Sequence, residues 1–284
     1  MSARGNYRFS RKLVREHDKD RYLAGLFAPA AVRRHLFALY AFNYEIARIR
    51  EIAHEPMAGE LRLQWWRDAL SGSARGDVGR HPVAVALLAT VERFSLPRAQ
   101  CLELIDARTF DLYDDPMPDA AQFEIYCDST AGALFGLAVT LLCGRELQGV
   151  AEPLQHAGRA YAITGLLRAF ALHASRGQIY LPLDLLARHG VKHEDIVSGK
   201  GGPGLAAALA EIRALARCHY GEASRRLPSL PREATPALLP LELVPLYLDR
   251  MEAPDYEPFK TPVEVPQWRR QWRLWRAARQ LARR

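Results

Sequence analysis

The chain has 284 residues, of which 49% are hydrophobic and 25% charged, and a formal net charge of +7. That length buries a full core in one large domain or two small ones, and the charge balance excludes both a disordered chain and a membrane-embedded one. The longest near-continuous apolar run, Ala131 to Cys143, falls short of the roughly 20 residues of a membrane-spanning helix and reads as a core helix.

The N-terminal segment 1–23 is basic but has no apolar stretch of the secretory kind. Its Glu16, Asp18 and Asp20 argue against an acid-poor organelle presequence. The expectation is a cytoplasmic protein. Beyond it, apolar residues recur at three- and four-residue steps. Leu36, Leu39, Tyr40, Asn43 and Ile46 predict one helix, and Leu61, Trp65, Asp68 and Ala69 a second. Leu102, Ile105, Phe110 and Leu112 predict a third. Leu134 to Leu142 is apolar nearly all round, as befits a central helix. Ala157 to Ala174 and Leu205 to Leu227 predict two more long helices. No strand alternation is visible, so residues 1–254 read as one all-α domain of about ten to twelve helices. Breaks are expected where Gly and Pro cluster, at Ser71–Pro82, Asp114–Pro118, Gly199–Gly204 and Pro228–Pro240.

Residues 255–284 form a separate region. A segment with three prolines, Asp255 to Pro266, leads into a basic tail holding seven arginines and no acid. Those arginines account for the whole net charge and leave a neutral body. At about 100° per residue, Trp268, Trp272 and Trp275 share one helical face with Ala278 and Ala282 beside them. Arg279 falls among the tryptophans, so the face is imperfect. Two readings stand. Either the tryptophans enter the interface of an anionic membrane, or they dock on the body while the arginines stay solvated.

Cys101, Cys127, Cys143 and Cys218 are widely spaced and form no C-x-x-C pair, which excludes a zinc ribbon and a disulfide framework. They read as small core residues. The loop SGKGGPG, Ser198 to Gly204, lacks the leading glycine of a phosphate loop, because Glu194 holds that position. No serine-hydrolase elbow, zinc-protease helix or dinucleotide fingerprint is present, and no nucleic-acid module accompanies the basic tail.

Two long stretches carry a resemblance. One is HDKDRYLAGLFAPAAVRRHLFALYAFNYEIARIRE followed by GELRLQWWRDAL. The other is YCDSTAGALFGLAVTLLCG followed by AITGLLRAFALHASRGQIYLPLDLLARHGV. In order and wording they resemble the squalene/phytoene synthase family over roughly residues 7–250. The Leu39–Phe42 element and the Arg176, Gly177, Tyr180, Leu181, Pro182 element are specific together. The resemblance implies an isoprenoid-synthase-like helical bundle with a central cavity, in which two allylic prenyl diphosphates are joined head to head.

That chemistry needs Mg²⁺ on the leaving diphosphate, held by carboxylates four residues apart on two facing helices. Here the family's acid positions fall on Ala47 and Glu51 in the first helix and on Ala169 and His173 in the second. Only Glu51 is an acid, Tyr44 replaces the usual preceding arginine, and Arg48, Arg50, Arg168 and Arg176 crowd the same place. Tyr22, Arg33, Arg34, Tyr126, Arg168, Arg176 and Tyr180 match family positions near the diphosphates or the cavity. Arginines can grip phosphate without a metal. The same positions have a structural reading too: the tyrosines as core aromatics, Arg48 and Arg50 paired to Glu45 and Glu51, and His173 as an interior histidine.

Within the family, FNYEIARIRE, LRLQWWRDAL and LLRAFALHASRGQIYLPLDLLARHGVKHEDI are similar to the branch of the mitochondrial complex I assembly factor. The lack of a presequence suggests a bacterial relative. Two functions are therefore expected. The first is a catalytically impaired protein that binds a prenyl diphosphate or a membrane-complex assembly partner, with no cofactor, in the cytoplasm or peripherally on the inner membrane. The second is an active prenyltransferase, which would need Mg²⁺ on Glu51 with help from Glu45, Asp68 or Asp111.

Overall fold

The computed structural model describes residues 2–53, 55–74 and 76–282; Arg283, Arg284 and the side chain of Ala282 in the basic tail lie outside the described residues. The helices run α1 (Ala3–His17), α2 (Lys19–Gly25), α3 (Ala30–Ala47), α4 (Ile49–Ile52), α5 (Pro56–Ser71) and α6 (Pro82–Phe94). Then come α7 (Arg98–Ala107), α8 (Ala120–Cys127), α9 (Ala133–Cys143), α10 (Ala151–Arg168) and α11 (Phe170–Ser175). The chain closes with α12 (Leu183–Arg188), α13 (His193–Val197), α14 (Pro203–Arg226), α15 (Thr235–Leu238), α16 (Val244–Met251) and α17 (Gln267–Ala282). No β-strand occurs among the described residues. The architecture is all-α, and the described segments exceed the ten to twelve expected because predicted helices divide and short helices such as α13 and α15 form between them.

Local chemistry sets the helix starts. The side chains of Ser2, Asp18 and Asp119 accept hydrogen bonds from the backbone N–H groups of Gly5, Arg21 and Gln122, capping α1, α2 and α8. Prolines open α5, α6 and α14, where a missing N–H costs nothing. The same rule corrects the break expected at Pro228–Pro240. Its prolines sit in the first turns of short helical pieces, including α15 and the 3₁₀ turns at Leu227–Ser229 and Leu239–Leu243.

Two predicted helices are interrupted. The one read through Leu112 ends at Ala107, and a 3₁₀ turn at Phe110–Leu112 carries the same apolar side chains inward. An ion pair from Arg108 to Asp111 closes that turn at 3.2 Å. The one read through Ala174 divides at Ala169, whose φ of −95° and ψ of 7° leave helical space. Its N–H still reaches the Gly165 carbonyl at 3.1 Å, and the His173 N–H reaches the Ala169 carbonyl at 2.9 Å. The axis bends without orphaning backbone groups.

The core is built around α10, which packs on α9, α14 and α16. α8 and α9 join through a π-turn at Asp128–Gly132 into one stretch, Ala120–Cys143, that is long and apolar enough to cross a membrane; 72% of its most apolar window is buried inside the fold. Cys101 and Cys127 are core residues as expected, but Cys143 is half-buried and Cys218 exposed; all four are free thiols.

The tail helix α17 lies against the body through Leu274, fully buried, and Ala277, nearly so. Arg270 donates to Asp20 at 2.8 Å and Arg273 pairs with Glu242 at 3.0 Å. The connecting segment is tied down by buried Val263 and by Phe259, whose ring is 5.3 Å from Phe170. The opposite face presents Trp268, Trp272 and Trp275, which are 65%, 59% and 41% exposed. This overturns the reading in which the tryptophans dock on the body: the body takes the Leu274 face instead.

At the centre, Gly158 of α10 meets Gly132 of the π-turn. A Cβ at Gly158 would stand 2.4 Å from the Gly132 Cα and 2.5 Å from its nitrogen, both backbone atoms that no rotamer can clear. Gly158→Ala is expected to cost about 1–3 kcal/mol by overpacking, read as a fall in the urea midpoint with little change in slope.

Candidate functional site

The two motif helices end alike. α3 stops at Ala47 and α10 at Arg168, and a short helix follows each across one residue that departs from helical geometry, Arg48 or Ala169. The motif positions straddle these breaks. Ala47 precedes the first and Glu51 follows it, while Ala169 forms the second and His173 follows. Across the gap, Arg176 at the end of α11 donates to Glu51 of α4 at 3.1 Å. The ion pair thus links the first motif's acid to the residue just beyond α11, three positions past the second motif.

Each neighbouring guanidinium pairs with an acid other than Glu51. Arg48 stands 3.5 Å from Glu45 and lies over the Tyr44 ring. Arg50 donates to Asp114 at 2.9 Å rather than to Glu51. Arg168 reaches Asp20 at 3.3 Å and covers the Tyr247 ring at 3.6 Å. Solvent-exposed pairs such as Glu51–Arg176 contribute no more than about 1 kcal/mol. Their consequence is occupancy, because each carboxylate oxygen facing a guanidinium is engaged.

Behind the pair lies a buried polar cluster. Asp111 accepts from the Tyr126 hydroxyl at 2.7 Å and the Tyr180 hydroxyl at 2.9 Å, and Arg108 bonds both Asp111 and Tyr126. Gln178 donates to the Asp111 carbonyl at 2.8 Å. The His173 ring packs 4.8 Å from Tyr180. Burial pushes both tyrosine hydroxyls well above their usual range and drives His173 down to about 4. At neutral pH these three side chains are uncharged. Phe123, Leu167, Phe170, His173, Tyr180 and Ile212 enclose about 10 Å³ of open space, roughly what a single water needs.

The remaining sequence candidates make their contacts elsewhere. Tyr22 stacks on Phe37 and accepts from Arg11 at 3.3 Å. Arg33 donates twice to the Ala28 carbonyl, at 3.0 and 2.8 Å. Arg34 donates to His35 at 3.1 Å and lies over Tyr7. The structure thus joins Glu51 to Arg176 and His173 to Tyr126 and Tyr180, and sends Arg168 to Asp20. Asp111 was visible from the sequence as a spare acid; its place as the common acceptor of two tyrosines depends on the turn at Phe110–Leu112, which the helical period hid.

These residues do not fit Mg²⁺. Ala47 and Ala169 have no donor atom, His173 is buried against Tyr180, and Glu51 is held by Arg176. Glu45 pairs with Arg48, Asp68 accepts from Gln64 at 2.7 Å, and Asp111 is taken by two tyrosines and an arginine. No group of three or more His, Cys, Asp or Glu side chains that could hold a metal ion occurs among the described residues.

The buried histidine gives the fold a pH dependence. His173 takes up a proton near 4 in the folded chain and near 6.5 when unfolded. The unfolded state therefore gains protons first, and stability falls as pH drops from about 6.5 to about 4. The loss from this residue is about 2–3 kcal/mol. His173→Phe is expected to make the urea midpoint less steep against pH over that window, the remaining slope coming from buried His35, which is also driven down to about 4; an unchanged profile would show that the His173 ring is hydrated.

The chain matches the squalene/phytoene synthase family over residues 14–276. It is 30% identical to the NADH dehydrogenase (ubiquinone) complex I, assembly factor 6 of Mus musculus, over 90% of this chain and 76% of that protein. It is 27% identical to the 15-cis-phytoene synthase of Synechocystis, over 92% and 80%. In fold it is similar to a dehydrosqualene synthase solved with a ligand, with a TM-score of 0.85, 20% identity and coverage of 99% and 98%. It is likewise similar to the squalene synthase HpnC of Alicyclobacillus acidocaldarius, with a TM-score of 0.74, 24% identity and coverage of 88% and 94%. The chain belongs to the squalene/phytoene synthase family.

Proposed function

We propose that this chain is a non-condensing member of its family that works by binding a partner, in the assembly of a respiratory membrane complex. The observation that carries the reading is that only one of the family's four acid positions, Glu51, is an acid, and its carboxylate is paired to Arg176. In a condensing enzyme the two motifs face each other as carboxylates and repel until Mg²⁺ and diphosphate neutralise them. Here Ala47, Ala169 and His173 carry no acid and the remaining Glu51 is bonded by Arg176, so no facing carboxylates wait for a metal. The similarity to assembly factor 6 supports the choice of a respiratory complex, and the location that goes with this reading is the cytoplasmic side of the inner membrane.

Incubation of the full chain with farnesyl or geranylgeranyl diphosphate and Mg²⁺ or Mn²⁺ is expected to give no head-to-head product above the protein-free control. Condensation at the rate of an authentic synthase would overturn the reading and return the chain to prenyl transfer. In the source organism, deletion of the gene is expected to lower assembled NADH dehydrogenase on native gels while leaving isoprenoid products unchanged.

A further inference from the structure

The tail helix α17 holds two sets of arginines with different fates. Arg270 and Arg273 face the body, where Asp20 and Glu242 neutralise them. Arg269, Arg276 and Arg279 are exposed and have no acidic partner among the described residues. Between and beside them stand Trp268, Trp272 and Trp275. The Trp272 and Trp275 rings stack at 5.1 Å, Arg269 covers Trp268 at 5.6 Å and Arg279 covers Trp275 at 4.7 Å. The outward surface is a ridge of three indoles set among cations, fixed in orientation by the buried Leu274 beneath it.

From this ridge we infer that α17 docks the protein on an anionic lipid surface. Indole rings favour the headgroup level of a bilayer, where a flat apolar body and a polar N–H are both satisfied. Guanidiniums on the same ridge meet the lipid phosphates, and their contact with the indole faces keeps them at that depth. Charge complementarity selects the occupant: a ridge with three unpaired cations and no acid suits a uniformly anionic plane. Because the inward face is already bonded to the body, α17 does not need to fold or detach to bind, so its ordering cost is met beforehand. This surface exists whether or not the chain condenses prenyl diphosphates.

The test is sedimentation of the full chain with vesicles of phosphatidylglycerol and phosphatidylcholine in equal parts, against phosphatidylcholine alone. Binding is expected to the anionic vesicles, much less to the neutral ones, and to weaken as salt is raised. Trp268→Ala, Trp272→Ala and Trp275→Ala together are expected to weaken it at least about tenfold. So is the separate set Arg269→Gln, Arg276→Gln and Arg279→Gln. Both sets change exposed residues, and circular dichroism checks that each variant keeps its helices. Absence of binding, or binding that both folded variants retain, would overturn the assignment. So would a ridge that binds a protein while ignoring anionic vesicles.

Discussion

Asp20 is a carboxylate near the N-terminus that is almost wholly shielded from water. Left alone, a buried charge of that kind would cost several kcal/mol. It is instead divided among three partners: Arg270 on one oxygen, and Arg168 and Tyr247 on the other. These come from α17, from the end of the second motif helix α10, and from α16. Three elements that share little sequence neighbourhood are thus fixed relative to one another by one side chain. The position of Arg168, the direction in which α11 leaves it, and the orientation of the tail all follow from that arrangement.

The site shows the same economy of charge. Every arginine near the motif positions has found a carboxylate: Glu45, Asp114, Asp20 or Glu51. An unpaired cluster of guanidiniums would be an invitation to a diphosphate, but paired ones present a nearly neutral surface. Below it, the tyrosines around Asp111 fill the interior with aromatic rings and hydrogen bonds. The helical frame is that of the family's fold, with these ion pairs and aromatic rings set between its helices.

Much of this was legible in the sequence. The helical period and the two resembling stretches pointed to the all-α bundle, and the wheel placed the three tryptophans on one face of α17. What escaped depends on contacts between distant residues. The breaks at Arg48 and Ala169 involve no Gly or Pro and keep their backbone bonds, so local propensity gives no warning of them. Asp114 lies in a Pro-containing loop, and only the fold brings it to Arg50. The wheel showed the aromatic side of α17 but not that the body would take the other. A face bearing Arg270 and Arg273 looks solvated until Asp20 and Glu242 are placed beneath it.

The bond between Arg270 and Asp20 spans 250 residues of sequence. During synthesis α2 leaves the ribosome long before α17, so the buried carboxylate waits for Arg270 until the tail helix is made. Contacts of such long reach close late in folding. Removing α17 would strip a partner from the N-terminal region rather than trim an appendage. Until α17 arrives, Asp20 is held in the interior by Arg168 and Tyr247 alone.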